Sequence, residues 1–395
     1  MRVAWVSAVV VAAVTWAGAV PAHGETATVE EQRLARAVPQ EILRLSGFDD
    51  VTAKFTRALR DVRTYGEAER VVARHGERLW RRAVDRAQGR GPADGLARED
   101  DRPLYWARLG MTRELRNWQP SFALPGNARN RLIDRLETAS RGEDSIRFPK
   151  GVRKILVTGF DPFTLDRDTR IGNPSGASAL ALDGTLIRTA AGPARIETAV
   201  FPVRWRDFAD GTVERTLRPH LPRVDMFTTV SQGRVGRFDV ERYNGAWRGG
   251  SPDNENVSKL EMIPVKGTQP QWTTTTLPYK AITAARTGRF PVYDNTQVTE
   301  IPAGGTTPVV RPDGPTEGST ARAGGGGNYL SNEIAYRATL LRDRLGLDTP
   351  GGHLHTPVLE FGQNEAVTDP TFEQNRRDII TQVRTVLRVA ADASF

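Results

Sequence analysis

The first third of the chain repeats apolar residues at helical spacing. Between about Thr28 and Thr138 they recur every three or four positions, as in the series Leu34, Val38, Ile42, Leu45. This spacing places the apolar side chains on one face of a helix. Proline and glycine interrupt the pattern several times. The sequence therefore predicts a helical extension over residues 25–149. No residues in it have catalytic spacing, so we interpret it as a packing extension, with a propeptide, a lid or a partner-binding module as alternatives.

The pattern changes after residue 150. Lys154 to Val157 is a short apolar run that ends at Thr158-Gly159, and strand-like and helix-like segments alternate from there to about residue 230. Such alternation predicts an α/β fold over residues 150–395, with three α/β/α layers and a largely parallel or mixed sheet. Sites in these folds gather at the carboxyl ends of strands, where Gly159-Phe160 and Ser231-Gln232-Gly233 fall.

The amino-terminal end has the layout of a secretory signal peptide. Met1-Arg2 precedes an apolar run from Val3 to Val20, and small residues follow near Ala22. The run is short and no later stretch is apolar enough to span a bilayer, so we expect a secreted protein without a stable membrane anchor, its signal peptide (residues 1–24) removed. The chain has no cysteine, which suits an oxidising exterior.

Charge and loop composition narrow the picture further. The formal net charge is +8, but basic and acidic residues are interleaved along the chain. We interpret them as solvated surface and do not expect nucleic-acid binding. Two regions rich in proline, glycine and threonine, between Gly245 and Leu277 and between Asn295 and Gly327, are long for loops, and they either shape a substrate entrance or decorate the surface.

A glycine run at 324–327 leads into Asn328, Tyr329, Leu330 and Ser331, and a helical pattern begins just after it. Ser331 therefore falls near the first turn, where free backbone N–H groups and the helix dipole favour negative charge. The alternative is that Ser331 is only a helix N-cap. His355 lies on a predicted strand, and the segment Phe238 to Asn244 supplies the carboxylate of Glu241, which completes a set of serine, histidine and carboxylate.

Several segments resemble the pyroglutamyl peptidase I (pyrrolidone-carboxylate peptidase) family from about residue 150 to the carboxyl terminus. They are Ile155 to Phe163, Asn173-Pro174-Ser175, Glu241-Arg242, Pro252 to Glu255, Thr276-Leu277-Pro278, Tyr329 to Asn332 and His355-Thr356-Pro357. The resemblance implies that Ser331 is the nucleophile, His355 the base and Glu241 the group that orients the histidine. The family nucleophile is cysteine, so this chain departs from it at the reacting atom.

The resemblance also implies a binding pocket for a flat five-membered lactam. Its walls would be Phe160, Phe163, Tyr329 and Leu330, while Asn173 and Gln232 would hydrogen-bond the lactam amide and carbonyl. Arg248 corresponds to the family arginine near the oxyanion, although two extra residues separate it from Pro252. The glycine-glycine-arginine turn of the family is altered here to Gly233-Arg234-Val235-Gly236-Arg237. This change argues against a strict preference for an unmodified pyroglutamyl group.

We therefore expect a secreted peptidase that hydrolyses an N-terminal pyroglutamyl or related cyclic amide through an acyl-enzyme. No metal or organic cofactor is implied, since His353 and His355 lack a third ligand motif. The expected partner is a peptide or small cyclic amide, and a homo-oligomer is left open. The rival hypothesis is a non-catalytic descendant that binds such a ligand, because an alkoxide is harder to generate than a thiolate. A third places the function in the amino-terminal helices.

Overall fold

The computed structural model describes residues 27–91, 95–363 and 366–395. The predicted signal peptide, residues 1–24, lies outside them. The amino-terminal extension is helical, as its apolar periodicity predicts. Its first helix begins with a capping box, in which the Thr28 side chain accepts from the Glu31 backbone N–H and the Glu31 carboxylate accepts from the Thr28 N–H. The helices of the extension are α1 (Val29–Gln32), α2 (Ala37–Leu45), α3 (Asp50–Arg60), α4 (Tyr65–Ala87), α5 (Arg102–Asn117) and α6 (Gly126–Ser140).

The remainder is an α/β domain around a seven-stranded sheet. Its strands are β1 (Arg153–Phe160), β2 (Leu186–Thr189), β3 (Gly192–Phe201), β4 (Met226–Gln232), β5 (Phe238–Glu241), β10 (Val292–Asn295) and β14 (Gly351–Thr356). The strand order is β10-β5-β14-β4-β1-β3-β2. Four of its neighbouring pairs are parallel, whereas β5 pairs with β14 and β2 with β3 in antiparallel fashion. The predicted α/β class and largely parallel sheet are confirmed.

Helices cover both faces of the sheet. They are α7 (Pro174–Leu182), α8 (Trp205–Ala209), α9 (Thr212–Leu217), α10 (Tyr279–Ala284), α11 (Leu330–Arg344) and α12 (Pro370–Ser394). Side chains alternate along β1, so Ile155 and Val157 pack in the core beneath α7 and α12, while Leu156 and Phe160 pack in the core beneath α8, α9 and α11. Three layers result.

The two glycine- and proline-rich regions contain short antiparallel strands. Strands β6 (Tyr243–Gly245) and β9 (Trp272–Thr274) form one ribbon, and β7 (Trp247–Gly249) and β8 (Leu260–Met262) form another. A third unit joins β11 (Val298–Ile301), β12 (Val309–Arg311) and β13 (Thr320–Ala323) in the order β12-β11-β13. Strand β13 delivers the glycine run directly to the start of α11.

The extension and the α/β domain share one hydrophobic core. Apolar residues of the extension, such as Trp106, belong to the same buried cluster as Leu165, Ile171 and Val200 of the α/β domain. Across the described residues, no helix is both long enough and apolar enough to cross a membrane.

Candidate active site

The central strands bring the predicted histidine and glutamate together. Strand β14 lies between β4 and β5, and its His355 is directly opposite Asp239 of β5. Glu241 is two residues further along β5, on the same face of the sheet and diagonal to His355. His355 Nδ1 and Glu241 Oε1 are 2.7 Å apart, and both side chains are buried. The carboxylate accepts the Nδ1 proton, so Nε2 is the nitrogen available to accept a proton.

Asn295 completes this arrangement and was not among the residues predicted from the sequence. It ends β10, which pairs with β5 in parallel, and it lies opposite Glu241. Its amide nitrogen donates to Glu241 Oε2 at 2.7 Å and to the Gly325 carbonyl at 2.5 Å. Both oxygens of Glu241 are thus engaged, one by His355 and one by Asn295. The signal in the sequence was a short strand-like run, Val292 to Asn295, that ends in a polar residue.

The glycine run packs against the histidine and the glutamate. A Cβ atom built on Gly326 would lie 1.9 Å from His355 Cε1, and one on Gly325 would lie 2.1 Å from Glu241 Oε2. Such distances exclude any side chain at these two positions. The run is glycine because its backbone must lie directly on the catalytic candidates.

Ser331 lies in the first turn of α11, next to this backbone. Tyr329 is at the N-cap position and its side chain makes no capping hydrogen bond, so the interpretation of Ser331 as an N-cap is wrong. The next helical residue, Asn332, donates its side-chain amide to the carbonyls of Gly245 and Trp247, both at 2.9 Å. This fixes the start of α11. Over the described ranges, the backbone N–H groups of Leu330 and Ser331 have no protein acceptor.

Ser331, His355 and Glu241 line one cavity of about 280 Å³. Phe163 and Tyr329 form an aromatic wall, with ring centroids 6.1 Å apart, and the Tyr329 hydroxyl donates to the Pro252 carbonyl at 2.9 Å. The other lining residues are Thr164, Gln232, Gly233, Arg234, Asp239, Ser251 and Gly326. The structure thus brings together six of the predicted site residues, Phe163, Gln232, Glu241, Tyr329, Ser331 and His355.

Four further predicted site residues do not line this cavity. Phe160 is buried and stacks on Phe208, with ring centroids 6.0 Å apart and planes inclined by 13°. Asn173 caps α7, where its Oδ1 accepts from the Ser175 backbone, and its amide donates to the Asp161 carbonyl. Both residues therefore support the loop that follows β1 and do not line the cavity.

The other two, Leu330 and Arg248, are also engaged in packing. Leu330 belongs to the core beneath α11. The guanidinium of Arg248 is held by the carboxylates of Glu261, at 2.6 Å, and of Glu333, at 3.4 Å. Both nitrogen atoms at the end of the Arg248 guanidinium are therefore paired with carboxylates rather than directed at the cavity.

Both ring nitrogens of His353 are engaged in hydrogen bonds to side chains of β4. Its Nδ1 lies 2.7 Å from Thr229 Oγ1 and its Nε2 lies 2.8 Å from Ser231 Oγ. Burial, together with the neighbouring His355, holds the pKa of His353 well below its usual range. Both ring nitrogens are used, which leaves neither for a metal. In the part of the chain that the structure describes, no group of three or more histidine, aspartate or glutamate side chains is arranged to hold a metal ion.

A larger cavity, of about 880 Å³, lies between the extension and the α/β domain. It is lined by charged side chains that pair with one another, such as Arg204 with Glu30 and Glu137. None of the predicted catalytic residues, Ser331, His355 and Glu241, lines it.

The fold and the site define an α/β protein in which a serine, a histidine and a glutamate surround one small cavity. The chain belongs to the PA0049 family. The model of the PA0049 N-terminal domain matches residues 12–137, and that of the PA0049 C-terminal domain matches residues 154–266 and 290–360. The protein PA0049 of Pseudomonas aeruginosa, described as uncharacterized, is 33% identical to this chain in an alignment that covers 88% of this chain and 83% of that protein.

Among solved structures, the chain is similar to pyrrolidone carboxyl peptidase from the hyperthermophile Pyrococcus furiosus. The identity is 23%, and the match covers 61% of this chain and 100% of that one, with a TM-score of 0.43. A mutant of the same peptidase gives the same identity and coverage with a TM-score of 0.42.

Proposed function

We propose that the protein is a serine hydrolase that cleaves an N-terminal pyroglutamyl or related cyclic amide through an acyl-enzyme on Ser331. The observation that carries the proposal is the hydrogen bond between His355 and Glu241 at the wall of the cavity that Ser331 also lines. A pure binding site has no need of a buried histidine oriented by a carboxylate.

The chemistry follows from this arrangement. His355 Nε2 accepts the proton of Ser331 Oγ as that oxygen attacks the amide carbon of the substrate, and the carbonyl electrons move to the oxygen. When the tetrahedral intermediate collapses, the carbon–nitrogen bond breaks and His355 returns the proton to the departing amine. A water molecule, deprotonated by the same nitrogen, then attacks the ester carbon and releases the acid and Ser331.

The start of α11 suits the negative charge of the intermediate. The N–H groups of Leu330 and Ser331 have no acceptor among the described residues, and they belong to the positive end of a 15-residue helix. Donors that are already oriented stabilise a developing oxyanion without a cost of reorganisation.

The cavity supports a small, flat acyl group. Phe163 and Tyr329 can pack against the faces and edge of a lactam ring, and a volume of about 280 Å³ limits the size of what enters. Gln232 Oε1 accepts from the Leu359 N–H at 3.4 Å, which leaves the amide nitrogen of Gln232 to donate to a ligand carbonyl.

A second candidate function is ligand binding without turnover. It is favoured by one observation: in the described part of the chain, no hydrogen bond joins the Ser331 hydroxyl to His355. Catalytic hydrogen bonds are often long without substrate and tighten in its complex, so this geometry is compatible with both functions.

The two functions are separated by labelling and hydrolysis. We expect a fluorophosphonate probe to modify Ser331 and a fluorogenic pyroglutamyl amide to be hydrolysed, with both reactions lost in Ser331→Ala. Peptide mapping gives the internal comparison, because Ser251 lines the same cavity, and labelling of Ser251 in place of Ser331 would contradict the assignment. A wild-type protein that is silent in both assays, while Ser331→Cys gains hydrolysis, would establish the binding function instead.

A further inference from the structure

Arg234 is a cavity residue that the proposed chemistry does not use. It follows Gly233 in the turn between β4 and β5, and its side chain is 41% exposed. A Cβ atom on Gly233 would lie 2.6 Å from His355 Cβ and 3.0 Å from His355 Cδ2. Arg234 therefore follows backbone that packs on His355 near Cβ and Cδ2, whereas Gly326 packs on the Cε1 edge of the same ring.

Arg234 shares its carboxylate partner with a second arginine. Asp239, which is buried, accepts from Arg234 at 2.9 Å and also lies 2.8 Å from the guanidinium of Arg237. The guanidinium of Arg237 lies 4.7 Å from the centre of the Tyr293 ring, and Arg237 does not line the cavity. Of the two arginines, Arg234 is the one that lines the cavity together with Ser331 and His355.

The turn Gly233-Arg234-Val235-Gly236-Arg237 carries two arginines, and Arg234 is the one that reaches the site. A guanidinium of which only one nitrogen is bonded retains donors for a two-point contact with a carboxylate.

We infer that Arg234 binds a carboxylate on the leaving group, so that the substrates are short amides whose departing amine carries a free acid, as in a pyroglutamyl dipeptide. The inference rests on the proposed function, because it uses the direction of proton transfer. His355 Nε2 hands its proton to the departing amine, so the leaving group stands beside the imidazole, in the cavity that Arg234 also lines. A longer peptide carries its terminal carboxylate further from the bond that is cleaved, and a neutral amide has no carboxylate.

The test compares pyroglutamyl-alanine with pyroglutamyl-alanine amide, which differ only in the terminal charge. The wild type is expected to have a kcat/KM about 10-fold higher for the acid, the scale of one charge-assisted hydrogen bond, mainly through KM. In Arg234→Gln the ratio of the two kcat/KM values is expected to fall to about one. Arg237→Gln is the matched control, because it removes the other partner of Asp239 outside the cavity, and it is expected to keep the wild-type ratio.

Binding measurements on Ser331→Ala separate this inference from the proposed function. If the wild type hydrolyses neither compound but Ser331→Ala binds the acid more tightly than the amide, and Arg234→Gln abolishes the difference, the hydrolase proposal fails and the carboxylate site stands. Equal kcat/KM values and affinities for the two compounds, no binding of either, or a preference for the acid that survives Arg234→Gln would each overturn the inference.

Discussion

At the scale of single residues, the centre of the site is a glutamate with no free oxygen. Glu241 accepts from His355 through Oε1 and from Asn295 through Oε2. A carboxylate held at both oxygens cannot rotate away from the imidazole. In the proposed mechanism Asn295 is therefore a positioning residue, which acts on His355 through Glu241 and does not line the cavity.

Replacement of Asn295 tests this role. Asn295→Ala is expected to lower kcat about 10-fold with little change in KM, because a hydrogen bond to a charged group is lost behind the base and no substrate contact is removed. Asn244→Ala is the matched control, since Asn244 is buried and hydrogen-bonded to Thr273 and Thr339 away from Glu241.

Steady-state kinetics and the NMR signal of the His355 Nδ1 proton provide the readouts. A merely structural role would lower the melting temperature of both variants and leave that proton signal in place. An Asn295→Ala protein with wild-type kcat would contradict the assignment.

The sequence could predict that Ser331, His355 and Glu241 belong together, as they do around one cavity, but not which residues support them. The three residues stand in segments that resemble one peptidase family in type and order. Asn295 acquires its role only through the pairing of β10 with β5, which brings residues 54 positions apart into contact. Phe160 was assigned to the pocket from the family resemblance, but the period of two along β1 turns its side chain into the core beneath α11.

At the scale of elements, the glycine run packs on His355 and Glu241 and leads directly to Ser331, the proposed nucleophile. It links β13 to α11, and it closes on itself through hydrogen bonds between Gly324 and Gly327 in both directions. The Gly325 N–H also donates to the Tyr243 carbonyl at 2.8 Å. The run is thus a fixed cover over His355 and Glu241, although its composition alone indicated a flexible segment.

Gly326→Ala is expected to disable the site without unfolding the protein. The added methyl group would overlap His355 Cε1, so the imidazole must move, and a displacement of about 1 Å can lower kcat/KM by about 100-fold. Gly66→Ala in α4 is the control, because its nearest neighbour is the Arg70 guanidinium at 3.7 Å and alanine favours a helix. Near-wild-type hydrolysis by Gly326→Ala, with the fold verified by circular dichroism, would show that the run does not hold the histidine.

Regular elements were predictable and the small ribbons were not, for a physical reason. Helices such as α4 and strands such as β1 bury continuous apolar faces, which leave a period in the sequence. Strands β7 and β8 are three residues each, and all three residues of β8 are exposed. A strand that buries so little leaves no pattern, so the regions at 245–277 and 295–327 were predicted only as loops.

At the scale of the whole molecule, the extension supports the loop that carries Phe163. Arg108 of α5 and Arg141, just after α6, both bind the buried carboxylate of Asp161, two residues before Phe163. Asp101, just before α5, accepts from the Asn173 N–H at 2.7 Å at the other end of this loop. The shared core and these buried contacts favour a permanent part of the fold over a removable propeptide.

Asp101 makes this junction sensitive to pH. Burial, followed by the negative charge of Asp100, raises the pKa of Asp101 above its usual range. The folded protein therefore holds a proton that the unfolded chain releases above about pH 4. Between the unfolded and the folded pKa the native state binds more protons, so the contribution of Asp101 to stability is full at low pH and declines as the pH rises.

Asp101→Asn removes the titrating group but keeps its hydrogen bond, because asparagine can still accept from the Asn173 N–H. The substitution therefore isolates the pH-dependent contribution of Asp101 to stability. The free energy of unfolding of the variant, relative to the wild type, is expected to rise between pH 4 and pH 8 by about 1–3 kcal/mol, measured by urea denaturation. Asp313→Asn, at an exposed carboxylate, is expected to show no such trend. A difference between Asp101→Asn and wild type that is independent of pH would refute the assignment.

The most direct test of the account is to trap the acyl-enzyme. Wild-type protein mixed with a pyroglutamyl ester, quenched in acid within the first turnover and analysed by intact-mass and peptide-mapping mass spectrometry, is expected to carry one pyroglutamyl group on Ser331. Ser331→Ala is expected to carry none, and His355→Ala to acquire the group far more slowly, because the base that activates the hydroxyl is gone. Release of pyroglutamate without any modification of Ser331, or the same modification rate in His355→Ala, would contradict a serine nucleophile activated by His355.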